Sequence, residues 1–161
     1  LGGGALLDCS GYPIQASIHF LGKNLSVESS SLTEQPSIDG SIIDIAGDVT
    51  LRSDQGVPAH VYFGFQHEYQ CMYEIIGSKG IITVPKAYTP RQNHEVQIQL
   101  VQQGTTAVYN VQPEDHFLTT SQEFRYAIEQ NQNLSKHWDA TKSCIRIQED
   151  IRRCALKIRS S

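Results

Sequence analysis

The sequence has 161 residues, 39% of them hydrophobic and 19% charged, with a formal net charge of -4. This composition excludes a disordered tail and a coiled coil, and the acidic balance provides no field for nucleic acid or an anionic membrane surface. No apolar run reaches the ~18 residues of a membrane span, and the length suits one domain over residues 1–161.

The opening segment begins Gly2-Gly3-Gly4 and turns apolar. Beyond Pro13, Ile14, Ile18 and Leu21 recur at spacings of four and three, the signature of one helix face. Gly22 suits the end of that helix. Asp8 and Tyr12, four apart, share a face if the helix extends back to them. Pro13 opposes helical geometry in the residue before it, so a kinked or two-part helix is expected.

From about Val27 to Val111 the period becomes two. Ile43, Ile45, Val49 and Leu51 alternate with Asp44, Ala46, Asp48 and Thr50, which predicts a strand with the first set buried. Asp54-Gln55-Gly56 turns the chain into a strand carrying Val61, Phe63 and Phe65. A third strand from Cys71 to Ile76 meets Gly77-Ser78-Lys79-Gly80 and returns as Ile81 to Val84, a hairpin signal. Val96, Ile98 and Leu100 mark another strand, and Gly104 turns it into the last, Thr106 to Val111.

The period then reverts. Phe117, Phe124 and Ile128 predict a helix opened by Pro113-Glu114-Asp115. A polar loop from Asn131 to Trp138 leads to Asp139 as an expected N-cap. Cys144, Ile147, Ile151, Cys154 and Ile158 then form a predicted core stripe of a last helix. Consecutive strands with short turns between helices predict an α+β fold: an open, mainly antiparallel sheet with helices packed on one face.

Cys9, Cys71, Cys144 and Cys154 form no CxxC pair and have apolar neighbours, which favours buried free thiols in a reducing, cytoplasmic setting. The histidines lack ligand spacing, so no metal site is expected. Basic residues between Arg146 and Arg159 flank an apolar stripe and read as a solvated helix face. The chain opens on Leu1 rather than methionine, which points to a piece of a longer polypeptide. It contains no GxGxxG, no P-loop and no nucleophile elbow, so no nucleotide cofactor is expected on this chain.

Three stretches carry a family resemblance. Gly2-Gly3-Gly4-Ala5-Leu6-Leu7-Asp8-Cys9-Ser10-Gly11-Tyr12 resembles the start of the C-terminal domain of the Gfo/Idh/MocA oxidoreductases, where a GGxxxD element is followed four residues later by His or Tyr. Tyr73 to Lys86 resembles that family's EIIGxKG strand–turn–strand, and Phe117 to Ile128 its late helix. Tyr in the acid–base position is similar to the glucose–fructose oxidoreductase, dihydrodiol dehydrogenase and xylose dehydrogenase branch. The resemblance implies a substrate-binding and oligomerisation domain. Its N-terminal Rossmann partner, absent from this chain, would bind NAD or NADP and supply a Lys.

It further implies hydride exchange between the nicotinamide and a sugar or cyclic polyol. Tyr12 takes the acid–base place and Asp8 that of the Asp one turn earlier. Proton transfer to or from the reacting oxygen is the chemistry such a phenol offers. Gln15 stands where many members carry Asp or Asn, and Ser10 where many carry Gly. Gln15, His19 and Lys86 are candidate substrate contacts, with helix-surface or loop roles as the alternative. A homo-oligomer through the open sheet is expected from the uncharged Thr50, Tyr62, Gln66, Gln97 and Gln99. The rival class is a non-catalytic ligand-binding or dimerisation module of the same fold.

Overall fold

The computed structural model of the protein describes residues 3–159, the side chain of Lys136 excepted. Gly2, part of the glycine run, lies outside the described residues. In chain order the elements are α1 (Gly4–Asp8), α2 (Gly11–Leu21), β1 (Leu25–Pro36), β2 (Ile42–Ser53), β3 (Pro58–Gly64), β4 (Tyr73–Gly77), β5 (Gly80–Val84), β6 (Val96–Gln102), β7 (Thr105–Val111), α3 (His116–Glu129), α4 (Ser135–Cys154) and β8 (Leu156–Arg159). The fold is α+β, with the expected antiparallel pairing dominant. Two compact units divide it: Leu1–His67 with Leu134–Ser161, and Glu68–Asn133. No helix among the described residues is long and apolar enough to cross a membrane.

The first unit holds a four-stranded sheet ordered β3-β2-β1-β8. β1 and β3 flank β2 antiparallel, and β8 adds to β1 in parallel. Register aligns Leu32, Gly47 and Phe63 in one cross-strand row, and Ser30, Val49 and Val61 in the next row on the same face. Gly47 makes the first row possible, because a Cβ there would fall 2.3 Å from the Phe63 ring. Leu25, Leu32, Val49, Leu51, Val61 and Phe63 join Ala5, Leu6, Ile14, Ile18, Cys144, Ile147 and Ile151 in a single core. So α1, α2 and α4 cover one face of this sheet, since only that arrangement buries all three apolar stripes together.

β1 contains Ser29-Ser30-Ser31, which lacks the β-branched alternation that marks a strand; pairing along β2 supplies its order instead. The pairing skips a residue where Thr33 faces Ala46 but Glu34 faces Asp44, leaving Ile45 with no counterpart on β1. One extra residue reverses the alternation of side chains across a strand. That reversal corrects the expected face of Asp44, which is buried at 9% exposure rather than outward.

The last helix also departs from expectation. It begins at Ser135, so Trp138 is helical and Asp139 lies inside the helix rather than capping it. Leu134 occupies the cap with no side-chain hydrogen bond, which leaves no N-cap residue for the sequence to announce. The helix stops at Cys154 because Ala155 turns extended. Leu156 to Arg159 then pair with β1, so Ile158 belongs to a strand and is exposed. Cys144 is buried and Cys9 and Cys71 are half-buried, but Cys154, at the end of the stripe, is exposed rather than buried.

The second unit is a meander ordered β4-β5-β6-β7, antiparallel throughout. The Gly77–Gly80 hairpin forms where expected. Gln103 and Gly104 both take positive φ, 49° and 79°, as a tight turn matched to strand twist requires. Cys71 makes only an isolated bridge to Lys86, so the third predicted strand starts at Tyr73. Asp115 caps α3 by accepting from the Leu118 amide at 3.0 Å. The expected stripe of that helix is not core: Phe117, Phe124 and Ile128 are exposed, and the small Ala127 is the side chain turned inward.

Candidate functional site

The candidate residues of the first unit sit on the two-part helix that Pro13 led us to expect. α1 ends at Asp8 and α2 begins at Gly11, with Pro13 in its first turn, where a missing amide donor costs little. Cys9 (φ -102°, ψ -34°) and Ser10 (φ -69°, ψ -20°) keep right-handed backbone between them. Asp8 and Tyr12 therefore remain about one turn apart, and both are exposed, Tyr12 at 50%. The Cys9 thiol lies 3.8 Å from Asp8 Oδ2. Burial, with the Asp8 charge beside it, pushes that thiol up and keeps it a neutral donor.

The other candidates divide. His19 is exposed in the last turn of α2 and packs edge-on to Phe20, ring centroids 5.0 Å apart. Gln15 is half-buried on α2. Burial raises the pKa of the Cys144 thiol of α4, and the Gln15 side chain works against that rise. Lys86 belongs to the second unit, where its Nζ lies 2.9 Å from His94 Nε2. It lines an open hollow of about 300 Å³ with Pro85, His94, Glu95, Val96 and Gln97. Nearby, burial and then the charges of Cys71 and Tyr73 push the Tyr88 phenol up to about 12.

Gly4, the last of the glycine run, serves a purpose that sequence reasoning missed. Gly4 adopts φ +79°, and a Cβ there would fall 2.3 Å from Asp44 Oδ1. The Leu6 amide just beyond donates to Asp44 Oδ2 at 2.6 Å. Ser10 is fully buried, and Gln148 reaches it from α4. A carboxylate already holds the amide that a phosphate would need, and its charge would repel one. These residues do not fit a nucleotide phosphate. No cluster of three metal-ligating side chains occurs among the described residues.

An exposed phenol with a carboxylate one turn away can exchange a proton with a bound oxygen while the carboxylate accepts from a neighbouring hydroxyl. Comparison with known proteins gives this arrangement its setting. A profile of the GFO/IDH/MocA C-terminal domain matches residues 1–83, and the chain belongs to that family. It is 39% identical over 115 residues to a dTDP-3,4-didehydro-2,6-dideoxy-alpha-D-glucose 3-reductase of Saccharopolyspora spinosa, covering 71% of this chain and 34% of that protein. A reductase of the same name from Streptomyces antibioticus is 29% identical over 138 residues, 85% of this chain and 41% of its own. The fold is similar to the crystal structure of a 3-ketoreductase from Actinomadura kijaniata in complex with TDP-benzene and NADP. That likeness has a TM-score of 0.89 at 26% identity, over 100% of this chain and 50% of that one. The chain thus spans half or less of the length of these relatives.

Proposed function

We propose that the chain is the substrate-side domain of an NADP-dependent oxidoreductase that reduces a ketone on a dTDP-linked deoxysugar. The observation that carries the reading is the exposed Asp8–Tyr12 pair on a domain whose relatives are dTDP-sugar 3-reductases. Tyr12 gives its hydroxyl proton to the sugar oxygen as the carbonyl becomes an alcohol. Asp8 accepts a hydrogen bond from an adjacent hydroxyl and so orients the ring. His19, two turns beyond Tyr12 on the same helix stripe, extends the substrate surface. Gln15, one turn before His19 on α2, adds a polar group, and Lys86 offers a cationic contact on its own unit. The reduced cofactor, NADPH, held by another part of the enzyme, would supply the hydride and leave as NADP; here Gly4 leaves room for Asp44 instead.

The test is steady-state turnover of the full-length enzyme with NADPH and a dTDP-linked 3-ketodeoxyhexose, beside the same sugar without its nucleotide. Remote binding energy is used at the reacting centre, so kcat/KM should fall by about a hundredfold or more without the nucleotide. Equal turnover of the free sugar, or preference for a cyclic polyol, would discard the nucleotide-linked substrate and leave the broader sugar or polyol reading. We propose also that the enzyme works in the cytoplasm and self-associates through open sheet. Tyr62 and Gln66 in the first unit and Gln97 and Gln99 in the second expose uncharged groups suited to a wet interface. Sedimentation velocity at tens of micromolar should show a dimer or larger species, and a clean monomer would count against this assembly.

A further inference from the structure

Four hydrogen bonds clamp the junction of α1 and α2, and the proposed chemistry uses none of them. The Leu6 amide donates to Asp44 Oδ2 on β2. The Leu6 carbonyl accepts from the Ser10 hydroxyl and, at 3.1 Å, from Gln148 Nε2 on α4. Gln148 Nε2 also donates to Ser10 Oγ at 3.1 Å. Ser10 is fully buried, and Asp44 and Gln148 are each 9% exposed. A helix of five residues has almost no stability of its own. Its rotation about its axis is therefore decided by what holds it. Leu6 is held at both its amide and its carbonyl, two residues before Asp8, and Ser10 is held two residues before Tyr12.

We propose that Asp44 and Gln148 are positioning residues that set the Asp8–Tyr12 geometry by locking the junction between the two helices. This deepens, and rests on, the reading that Tyr12 delivers the proton. Neither residue reaches the exposed surface on which the pair sits; both act through Leu6 and Ser10. Asp44 spans 38 residues of sequence to Leu6 and Gln148 spans 142, so the sheet and the last helix jointly aim one short segment. Burial makes the hydrogen bonds stiff, because an unpaired partner in that environment is costly.

The experiment is a double-mutant cycle in the full-length enzyme. Gln148→Met keeps length and removes both donated hydrogen bonds. It should lower kcat by about ten- to a hundredfold with KM changed by less than about twofold, as misplacement of a reacting group does. In a Tyr12→Phe background the same change should add less than about twofold, since no proton donor remains to be misplaced. Asp44→Asn is the second variant: its amide oxygen still accepts from the Leu6 amide, so it should recover most of the rate that Asp44→Ala loses. An equal kcat loss from Gln148→Met in both backgrounds would overturn the proposal, and so would no loss at all. Should Gln148→Met fail to fold, equal kcat in Asp44→Asn and Asp44→Ala overturns it instead. Wild-type kcat in Tyr12→Phe alone is a different result, which removes the proton-donor reading first and the proposal with it.

Discussion

Changing Tyr12 to Phe in the full-length enzyme is expected to lower kcat by about 10²–10⁴-fold, the usual worth of general acid catalysis. The substitution removes one hydroxyl and leaves the ring, so the surface that meets the substrate keeps its shape. KM should move far less than kcat, because the missing interaction matters most when the oxygen gains charge. Stability should change by no more than about 1 kcal/mol, since half of the Tyr12 side chain already faces solvent. Asp8→Asn provides the contrast. It keeps an acceptor in place and loses only charge, so more of its effect should fall on KM. Steady-state kinetics on the reducible sugar decide between these roles. A Tyr12→Phe enzyme that retains about a third or more of wild-type kcat, far outside the catalytic range, would make Tyr12 a wall of the pocket only.

The parts of this molecule that were legible in advance are those whose cause is local. Gly77-Ser78-Lys79-Gly80 and Gly104 specify their turns through their own backbone preferences, and Pro13 announces the break in the first helix. The one-turn spacing of Asp8 and Tyr12 was legible in the same way, as two residues four apart; the role proposed for them came from the family resemblance. What could not be read depends on partners far along the chain. Asp44 looked like an outward residue of an alternating strand, and only a bulge at Ile45 turns it inward. Such a bulge is decided by register against β1, not by the sequence of β2 itself. Gln148 is a polar residue beside a core stripe, which is ordinarily a solvated position; its burial depends on Leu6 and Ser10 standing opposite. Ile158 continued the helical period, but the edge of β1 offered a ladder that another helical turn could not match. The hydrogen bonds at the α1–α2 junction were therefore hidden although Asp8 and Tyr12 themselves were visible.

Replacing Gly4 with Ala should destabilise the first unit by about 3 kcal/mol. Two costs combine. The left-handed backbone at φ +79° is strained for any residue with a Cβ, by roughly 1–2 kcal/mol. The added atom also lands 2.3 Å from Asp44 Oδ1 and 2.5 Å from its Cγ, and overpacking of a filled interior costs roughly 1–3 kcal/mol. Asp44 cannot simply swing aside, because its carboxylate is buried and holds the Leu6 amide. If it retreats, that amide loses its acceptor. At about 2–4 °C per kcal/mol for a chain of this size, Tm should fall by roughly 6–12 °C. Gly11→Ala is the matched control. A Cβ there meets nothing within 4 Å, and its φ lies outside the left-handed range. Alanine is also the better helix former by up to about 1 kcal/mol, so Gly11→Ala should leave Tm unchanged or raise it. The activity of Gly4→Ala should fall further than its melting temperature explains, since the same clash loosens the junction that carries Asp8 and Tyr12. Thermal denaturation of the two variants side by side is the measurement. Equal Tm values would mean that α1 does not rest on Asp44, and that Gly4 is there for some reason other than the space it leaves for that carboxylate.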